Sequence, residues 1–390
     1  MILHNYMDFD DLKDYVEISY EVTQDGLTVQ KGELKAVSVA PHQDGKTELK
    51  VSVPAAGKVY LKLTFCLKKN VPLLPEKHVL GFEEILLSNE DGRNQETVKW
   101  LEQTEETKEI QVQENNKEFI LSGKDFTYII SKTTGLFTQL RFAGRDYLKH
   151  PMELNIWRAP TDNDMYIREK WKKAHYHEAY TRAYKVETVQ NKHGVLVMAH
   201  VSVVAATVQK ILDVQLTWKI TGDGKISANM ECTKDEEFPE LPRFGVRLFL
   251  DRKIDETVYY GMGPQESYRD KHQASSHGLY RAKVDELHED YIRPQENGSH
   301  FDCDYVEMSG TQFGIAVTGE NTFSFNVSHY TQEILEQAAH NYELVDSDST
   351  VLCVDYALNG IGSNSCGPEV LEKYRFDEST FRFAFTMIPF

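Results

Sequence analysis

The sequence predicts an all-β fold, and three observations support this prediction. Apolar and polar residues alternate with a period of two through several stretches, which is typical of strands that bury one face. Turns rich in glycine and aspartate separate these stretches. Helical periodicity is confined to two short segments, residues 168–180 and 331–340. We therefore expect many strands and little helix.

The predicted strands can be followed along the chain. Alternating patterns cover residues 16–22 and 59–67. A hairpin is predicted at 212–232, because two alternating stretches flank the turn residues Gly222-Asp223-Gly224. Near the end, residues 381–387 alternate phenylalanine and methionine with arginine, alanine and threonine. Each of these patterns indicates a strand with one face in a core.

The chain is longer than one ordinary domain, with 390 residues. A boundary is visible near residues 88–117, where the chain becomes rich in Glu, Gln and Asn and poor in apolar residues. We predict three parts: an immunoglobulin-like β-sandwich over 1–95, a linker or edge hairpin over 96–116, and a large antiparallel two-sheet domain over 117–390.

Charge and cysteine content exclude several classes of protein. The chain has 43 Lys+Arg against 61 Asp+Glu, a formal charge of −18, which disfavours a protein that coats nucleic acid or an anionic membrane. The start of the chain does not have the pattern of a signal peptide. The five cysteines are scattered and form no CxxC pair, so neither a zinc knuckle nor a disulfide framework is predicted. We expect a cytoplasmic protein.

Three segments are too dense in polar, aromatic, glycine and proline residues to be simple turns, and a fourth is weaker. They cover residues 157–164, 260–270 and 360–368, with the weaker one at 293–298. Loops with aromatic, carboxylate and amide groups suit carbohydrate recognition, because sugars offer hydroxyl groups and an apolar CH face.

Each segment also has a plainer interpretation. Asp162 and Asp164 are spaced like two metal ligands, but without the rest of a calcium loop a turn-capping role is favoured. Cys366 has no basic neighbour in the sequence that would activate it, so a packing thiol is favoured over a nucleophile.

Candidates for acid–base chemistry exist, but no pattern selects among them. A retaining glycosidase needs two carboxyl groups about 5 Å apart, and Glu266 and Glu296 are candidates that the sequence alone does not bring together. An isomerase acting on a free sugar needs a general acid and a general base. Candidate histidines for that reaction are His272, His277, His288 and His300.

These segments, in this order, resemble the C-terminal part of a family 2 glycoside hydrolase, the bacterial lactase type of β-galactosidase. The N-terminal part resembles, less strongly, the β-sandwich that precedes that last domain, through residues 5–26 and 59–86. The motifs that carry the main resemblance are 157–164, 260–270, Glu296-Asn297-Gly298, 325–330 with the following helix, and the glycine-rich 360–368.

The resemblance implies a fold and a missing part. The fold would be an immunoglobulin-like sandwich followed by a large antiparallel supersandwich of the galactose mutarotase type. The family's catalytic glutamates, and its magnesium and sodium ligands, would lie on a (β/α)₈ barrel, whose strand–helix alternation this chain lacks. The resemblance therefore implies no catalytic residue, metal or cofactor in this chain, and no activity by this chain alone.

The resemblance also implies partners. The chain would be a separate small subunit or a fragment of a longer polypeptide, and its partner would be the barrel-containing portion or large subunit of the enzyme. The substrate would be a lactose-like β-galactoside, and the assembly would be an oligomer.

Two loops are implied to line the substrate site. In the family, a loop near the C-terminus places a tryptophan in the aglycone region, and the matching position here is Cys366, after Asn364 and Ser365. A mobile loop of the family matches the segment with Asp162, Asn163 and Asp164. Because a thiol lacks a broad aromatic face, we expect a more open and weaker aglycone subsite.

Two other functions stay open from the sequence. One is an aldose 1-epimerase-like isomerase, suggested by the shared fold alone. The other is a stand-alone carbohydrate-binding module.

Overall fold

The computed structural model describes residues 1–88, 94–102, 109–362 and 365–390. The chain divides into two compact units, residues 1–99 with 277–279 and residues 100–276 with 280–390. Strands dominate both units, so the all-β prediction is confirmed. None of the helices in the described ranges is long and apolar enough to cross a membrane.

The first unit consists of two antiparallel sheets that share a small core. The four-stranded sheet has the order β3-β2-β5-β6, and the two-stranded sheet pairs β1 with β4. Leu3, Val22 and Leu61 come from both sheets and are buried together. The strands are β1 (Ile2–His4), β2 (Val16–Gln24), β3 (Leu27–Glu33), β4 (Asp44–Lys46), β5 (Val59–Leu67) and β6 (Val79–Ser88), with the short helix α1 (Leu12–Tyr15).

The second unit contains a five-stranded sheet and a twelve-stranded sheet, both antiparallel in the pairings described. The five-stranded sheet has the order β11-β10-β9-β8-β7. Its strands are β7 (Gln111–Glu114), β8 (Glu118–Ser122), β9 (Phe126–Ser131), β10 (Phe137–Phe142) and β11 (Arg145–Asp146).

The main path of the twelve-stranded sheet is β12-β17-β22-β21-β23-β16-β15-β14-β13. Off this path, β20 pairs with β21, β18 pairs with β20, and β19 pairs with β18. Its strands are β12 (Leu148–Asn155), β13 (Tyr180–Asn191), β14 (Gly194–Val204), β15 (Leu212–Ile220), β16 (Ile226–Lys234), β17 (Arg243–Asp251), β18 (Glu256–Gly263), β19 (Ser276–Lys283), β20 (Ser299–Gly310), β21 (Phe313–Ser328), β22 (Ser349–Leu358) and β23 (Thr380–Pro389).

One core holds the two sheets of the second unit together. The ring of Trp218 on β15 meets the ring of Phe137 on β10, with centroids 4.8 Å apart. The Trp218 indole N–H donates to the carbonyl oxygen of Gly135 at 2.9 Å. From the other sheet, the Tyr128 hydroxyl donates to the Gly224 carbonyl oxygen at 2.7 Å. Buried polar groups of the large aromatic residues are thus satisfied at the contact between the sheets.

The predicted hairpin at 212–232 is confirmed. Strands β15 and β16 pair in register up to Ile220 and Ile226. Gly224 in the connecting turn has φ +89°, a conformation that favours glycine. The alternating residues of both strands point their apolar face into the core.

The helices are shorter than predicted. The segment 168–180 forms α3 (Ile167–Lys173), which ends because His175 adopts a left-handed φ of +59°. The segment 331–340 forms α4 (Gln332–Gln337), capped where the Thr331 hydroxyl accepts from the Ile334 amide. Single 3₁₀ turns cover Asp162–Asp164, Tyr176–Glu178, Val284–Leu287, Asn341–Glu343 and Glu372–Tyr374.

The segment predicted as a linker or edge hairpin, residues 96–116, contains both helix and strand among its described residues, and residues 103–108 lie outside them. Residues Gln95–Glu102 form α2. Strand β7 pairs with β8 at the edge of the five-stranded sheet.

Candidate functional site

The loop segments singled out from the sequence meet in the second unit. They follow different strands, yet direct hydrogen bonds connect them. These bonds run from the Glu296 amide to the Ala159 carbonyl (2.9 Å), from Asn163 Nδ2 to the Ile361 carbonyl (2.7 Å), and from the Gly362 amide to Asp270 Oδ2 (2.8 Å). Segments 157–164, 260–270, 293–298 and the start of 360–368 therefore form one loop cluster.

A buried arginine organises the first segment. The Arg158 side chain is fully enclosed, and its Nε and Nη2 atoms donate to the two carboxylate oxygens of Asp164 at 3.1 and 2.7 Å. Its Nη1 and Nη2 atoms also donate to the carbonyl oxygens of Asn359 and Gly360 at 2.6 and 3.2 Å. One guanidinium thus connects the loop after β12 to the loop after β22.

Asp164 and Asp162 have different hydrogen-bond partners, and these indicate their roles. The Asp164 carboxylate accepts from the Thr161 amide at 2.9 Å, and the Asp164 amide donates to the Thr161 carbonyl at 2.9 Å. The turn-capping interpretation of Asp164 is therefore confirmed. Asp162 is exposed, and its amide donates to Gln295 Oε1 at 3.0 Å.

A second buried arginine lies at the start of β17. The Arg243 guanidinium donates to both carboxylate oxygens of Asp355 at 3.1 and 2.5 Å, and to Glu296 at 3.2 Å. All three side chains are buried. Burial raises the pKa of Glu296 and the pKa of Asp355, and the positive charge of Arg243 opposes that rise. Two carboxyl groups therefore share one guanidinium.

Glu266 has its own set of partners. Its carboxylate accepts from the ammonium group of Lys271, from the Tyr291 hydroxyl at 2.5 Å and from the Gly298 amide at 2.9 Å. Glu266 is paired with a lysine, whereas Glu296 is paired with an arginine. Both glutamates thus hold loops together, and each has a cation beside it.

The structure does not assemble the four candidate histidines into an acid–base group. His300 is buried between Tyr259 and Phe325, its Nδ1 donates to the Met262 carbonyl at 3.3 Å, and burial lowers its pKa to about 4. Burial also lowers the pKa of His288. The His272 ring bonds to the Tyr268 carbonyl at 2.9 Å, and His277 belongs to the first unit.

The glycine-rich segment is fixed at its start by Asp270. The Asp270 carboxylate accepts from the amides of Ile361 and Gly362 at 3.1 and 2.8 Å. A Cβ atom on Gly360 would lie 2.7 Å from Asp270 Oδ2. Glycine at this position therefore permits the close approach of the carboxylate to the loop backbone.

The predicted substrate-binding residues differ in exposure. Asp162, Ser365 and Cys366 are exposed, Asn163 is half-buried and Asp164 is buried. Asn364 lies outside the described residues. Their contact with a substrate stays a prediction.

A cleft of about 350 Å³ opens beside the loop cluster. Asn163, Asp164 and Asn359 line it, and the helix α3 contributes Ile167 and Lys170. A volume of this size is in the range of pockets that hold small organic ligands.

Sequence reasoning missed the residues that organise the cluster, namely Arg158, Arg243 and Asp355. A signal was present for two of them: Arg243 and Asp355 are charged residues within strands that are otherwise rich in apolar residues, β17 and β22. A charged side chain buried in a strand is stable only beside an opposite charge. Each of these two residues therefore predicts an oppositely charged partner nearby.

Two solved structures that align with this chain are an epimerase and an epimerase homologue. The galactose 1-epimerase from Lactobacillus acidophilus aligns with a TM-score of 0.39 and 7% identity, over 73% of this chain and 98% of that one. The GalM/aldose epimerase homologue from C. elegans aligns with a TM-score of 0.37 and 7% identity, over 73% and 99%.

Curated relatives are β-galactosidases. One from Actinobacillus pleuropneumoniae is 38% identical over 388 residues, which cover 100% of this chain and 38% of that protein. One from Staphylococcus xylosus is 32% identical over 392 residues, with 99% and 38% covered. The chain thus spans a little over a third of the length of these relatives.

Two family descriptions match the chain. Residues 1–88 match β-galactosidase domain 4. Residues 122–387 match the β-galactosidase small chain. The second match alone covers most of the chain, and the chain therefore belongs to the β-galactosidase small-chain family.

Proposed function

We propose that this chain is the C-terminal, non-catalytic part of a β-galactosidase of the family 2, bacterial lactase type. In this proposal it completes the aglycone side of an active site for lactose-like β-galactosides. The catalytic glutamates and the magnesium and sodium sites belong to a (β/α)₈ barrel outside this sequence. The observation that carries the proposal is the alignment of the whole chain with 38% of a β-galactosidase.

The charges in the loop cluster support the non-catalytic part of the proposal. Glycoside hydrolysis uses one carboxyl group as a general acid and a second as a base or nucleophile. Within the described part of the cluster, each buried carboxylate is matched to a cation. The pairs are Asp164 with Arg158, Asp355 and Glu296 with Arg243, and Glu266 with Lys271. These carboxylates therefore suit a scaffold.

The same framework suits the display of a loop to a partner. Asp270 and Arg158 fix the chain around Gly360, and the exposed Ser365 and Cys366 follow a few residues later. In the proposal this loop faces the aglycone of the substrate, and the Asp162–Asp164 turn lines the same side. A rigid base below a substrate-facing loop lowers the entropy lost when the loop is ordered by a ligand.

The free thiols support a proposal for the place of action. All five cysteines are free, which is typical of proteins in a reducing compartment. We propose that the assembled enzyme is an oligomer that acts in the cytoplasm.

The test is complementation of activity. The chain is assayed with a chromogenic β-galactoside alone, and then after mixing with the remaining portion of the Actinobacillus pleuropneumoniae β-galactosidase. We expect no hydrolysis by either part alone and hydrolysis by the mixture. Hydrolysis by the chain alone would contradict the non-catalytic role, and a mixture that associates but stays inactive would contradict the role in the active site.

A parallel measurement addresses the isomerase alternative. Polarimetry follows the interconversion of the anomers of galactose with and without the chain. We expect no acceleration, because the histidines of the second unit are not brought together as an acid–base group. Acceleration would support an aldose 1-epimerase-like activity instead.

A further inference from the structure

The cleft beside the loop cluster has polar groups that no other part of the protein uses. The Asn359 side chain is only 4% exposed, and its Oδ1 accepts from the Phe376 amide at 2.8 Å. Its Nδ2 makes no hydrogen bond within the described residues, and Asn359 lines the cleft. This amide donor is therefore available to a ligand in the cleft.

Other groups around the cleft are also available to a ligand. Asn163 donates through Nδ2 to the Ile361 carbonyl, which leaves its Oδ1 as an acceptor. Lys170 and the carboxylate of Glu240 line the cleft, and neither forms an ion pair in the described part of the chain. The cleft therefore offers hydrogen-bond donors and acceptors in similar number.

The charges around the cleft cancel. Lys170 and Arg375 are cationic, whereas Glu240 and Glu369 are anionic, and Arg375 bonds to Glu369 at 2.8 Å. The carboxylate of Asp164, which also lines the cleft, is neutralised by Arg158. A site with both donors and acceptors but little net charge suits a neutral polyhydroxylated ligand better than an ion.

Aromatic side chains complete the site. Tyr166 lies in the cleft and is 59% exposed. Beyond Lys170 and Glu240 the cleft continues into a shallower hollow of about 580 Å³, which is lined in part by Phe238. The Phe238 ring is half-buried and stacks on Tyr176 with centroids 6.2 Å apart, so Tyr166 presents the more open ring and Phe238 lines the second compartment.

Two buried side chains support the backbone that the two compartments share. The Trp171 indole N–H donates to the Glu240 carbonyl at 2.8 Å, and the Tyr176 hydroxyl donates to the Pro239 carbonyl at 2.7 Å. Trp171 and Tyr176 are buried and belong to the helix α3 and the turn after it. The backbone between the two compartments is therefore held in place before a ligand arrives, which lowers the cost of binding.

We propose that this groove, defined by Tyr166, Lys170, Phe238, Glu240 and Asn359, is a saccharide-binding site of the chain itself. Its ligand is a neutral saccharide of two or more rings, with one ring on Tyr166 and the next toward Phe238. Binding requires no residue outside this chain. The inference rests on the proposed function only for the choice of a galactoside as probe.

The experiment measures binding of lactose to the full chain by isothermal titration calorimetry. We expect saturable binding with a dissociation constant in the millimolar range. Tyr166→Ala should weaken lactose binding about five- to tenfold through loss of the ring contact. Glu240→Ala should weaken it by a similar factor through loss of a charged acceptor. Both positions are at least partly exposed, so both variants are expected to fold.

The matched control is Glu169→Gln, which changes an exposed residue next to Lys170 that does not line the groove. This variant should bind lactose like the parent chain. Absence of saturable binding by the parent chain would overturn the proposal, as would equal effects of Tyr166→Ala and Glu169→Gln. Preferential binding of inorganic phosphate, titrated in parallel, would also overturn it, because the site would then select an anion.

Hydrolysis is not measured in this experiment, so the two proposals fail separately. A chain that binds lactose but does not complement would overturn the proposed function alone. A chain that complements but does not bind lactose by itself would overturn the groove alone.

Discussion

The guanidinium of Arg158 and the carboxylate of Asp164 form a two-point ion pair that is closed off from solvent, with side-chain exposures of 0% and 4%. The planar fork of an arginine matches both oxygens of a carboxylate, so this pair fixes orientation as well as charge. The same guanidinium also holds two backbone carbonyls of the loop after β22.

Removing the carboxylate of this pair should destabilise the second unit strongly. Asp164→Ala leaves the Arg158 charge buried without its partner, and we expect a loss of about 3–5 kcal/mol in the free energy of unfolding. Urea unfolding followed by tryptophan fluorescence measures it. Asp162→Ala changes an exposed aspartate two positions earlier and should alter stability by less than about 0.5 kcal/mol. Equal effects of the two substitutions would contradict the structural role of the pair.

Asp270 should control the motion of the glycine-rich loop. In Asp270→Ala the amides of Ile361 and Gly362 lose their acceptor, so their hydrogen exchange should become faster by about tenfold, equivalent to about 1.4 kcal/mol of local stability. Hydrogen exchange with mass spectrometry measures this change. Asp270→Asn keeps one carbonyl acceptor and should show a smaller increase. Unchanged exchange in the alanine variant would show that the loop is held by other contacts.

His300 should make the second unit less stable in mild acid. Its pKa is 6.5 for an unperturbed histidine and about 4 in the folded chain, because burial disfavours the charged ring. As the pH falls from about 6.5 to about 4, the unfolded chain takes up a proton that the folded chain does not. Because of His300, the free energy of unfolding should therefore fall by about 3 kcal/mol as the pH decreases over that range.

Variants at His300 separate this effect from other titrations. His300→Phe keeps a ring between Tyr259 and Phe325 and removes the titrating group, and His300→Gln serves where the phenylalanine variant fails to fold. Urea unfolding at pH 7.5, 5.5 and 4.5 should show a flatter pH dependence for the variant than for the parent chain. Parallel curves for both proteins would show that His300 is not the group responsible.

Cys366 provides a prediction that depends on the proposed function. A tryptophan at this exposed position would offer an aromatic face to the aglycone. In the complemented enzyme, Cys366→Trp should lower the apparent constant for glucose as an acceptor about three- to tenfold. Cys366→Ser, which adds no ring, should leave it unchanged. An unchanged constant in the tryptophan variant would remove Cys366 from the aglycone subsite.

Local patterns predicted the individual strands well. The alternation over 212–220 and 226–232 and the glycine turn between them lie within a few residues of each other, so sequence order determines how β15 and β16 pair. The alternation in 16–22 and 59–67 likewise indicated which residues form the small core of the first unit. The predicted helices were too long, because nothing in the pattern marked the left-handed conformation of His175.

The charged framework of the site was beyond such reasoning. Arg243 and Asp355 are 112 positions apart in the sequence, and Arg158 and Asn359 are 201 apart. Their contacts depend on the order of strands in the sheet, which periodicity does not encode. The sequence did indicate the four segments that form the cluster, because their density in glycine, proline and polar residues is unusual for turns.

The position of strand β23 has a consequence for how the second unit is made. Residues 380–389 lie between β16 and β21, and so join the strands on one side of the large sheet to those on the other. During synthesis on the ribosome, earlier strands emerge with two bare hydrogen-bonding edges that only this late strand covers. Until it is inserted, these two edges are open to mispairing with other chains.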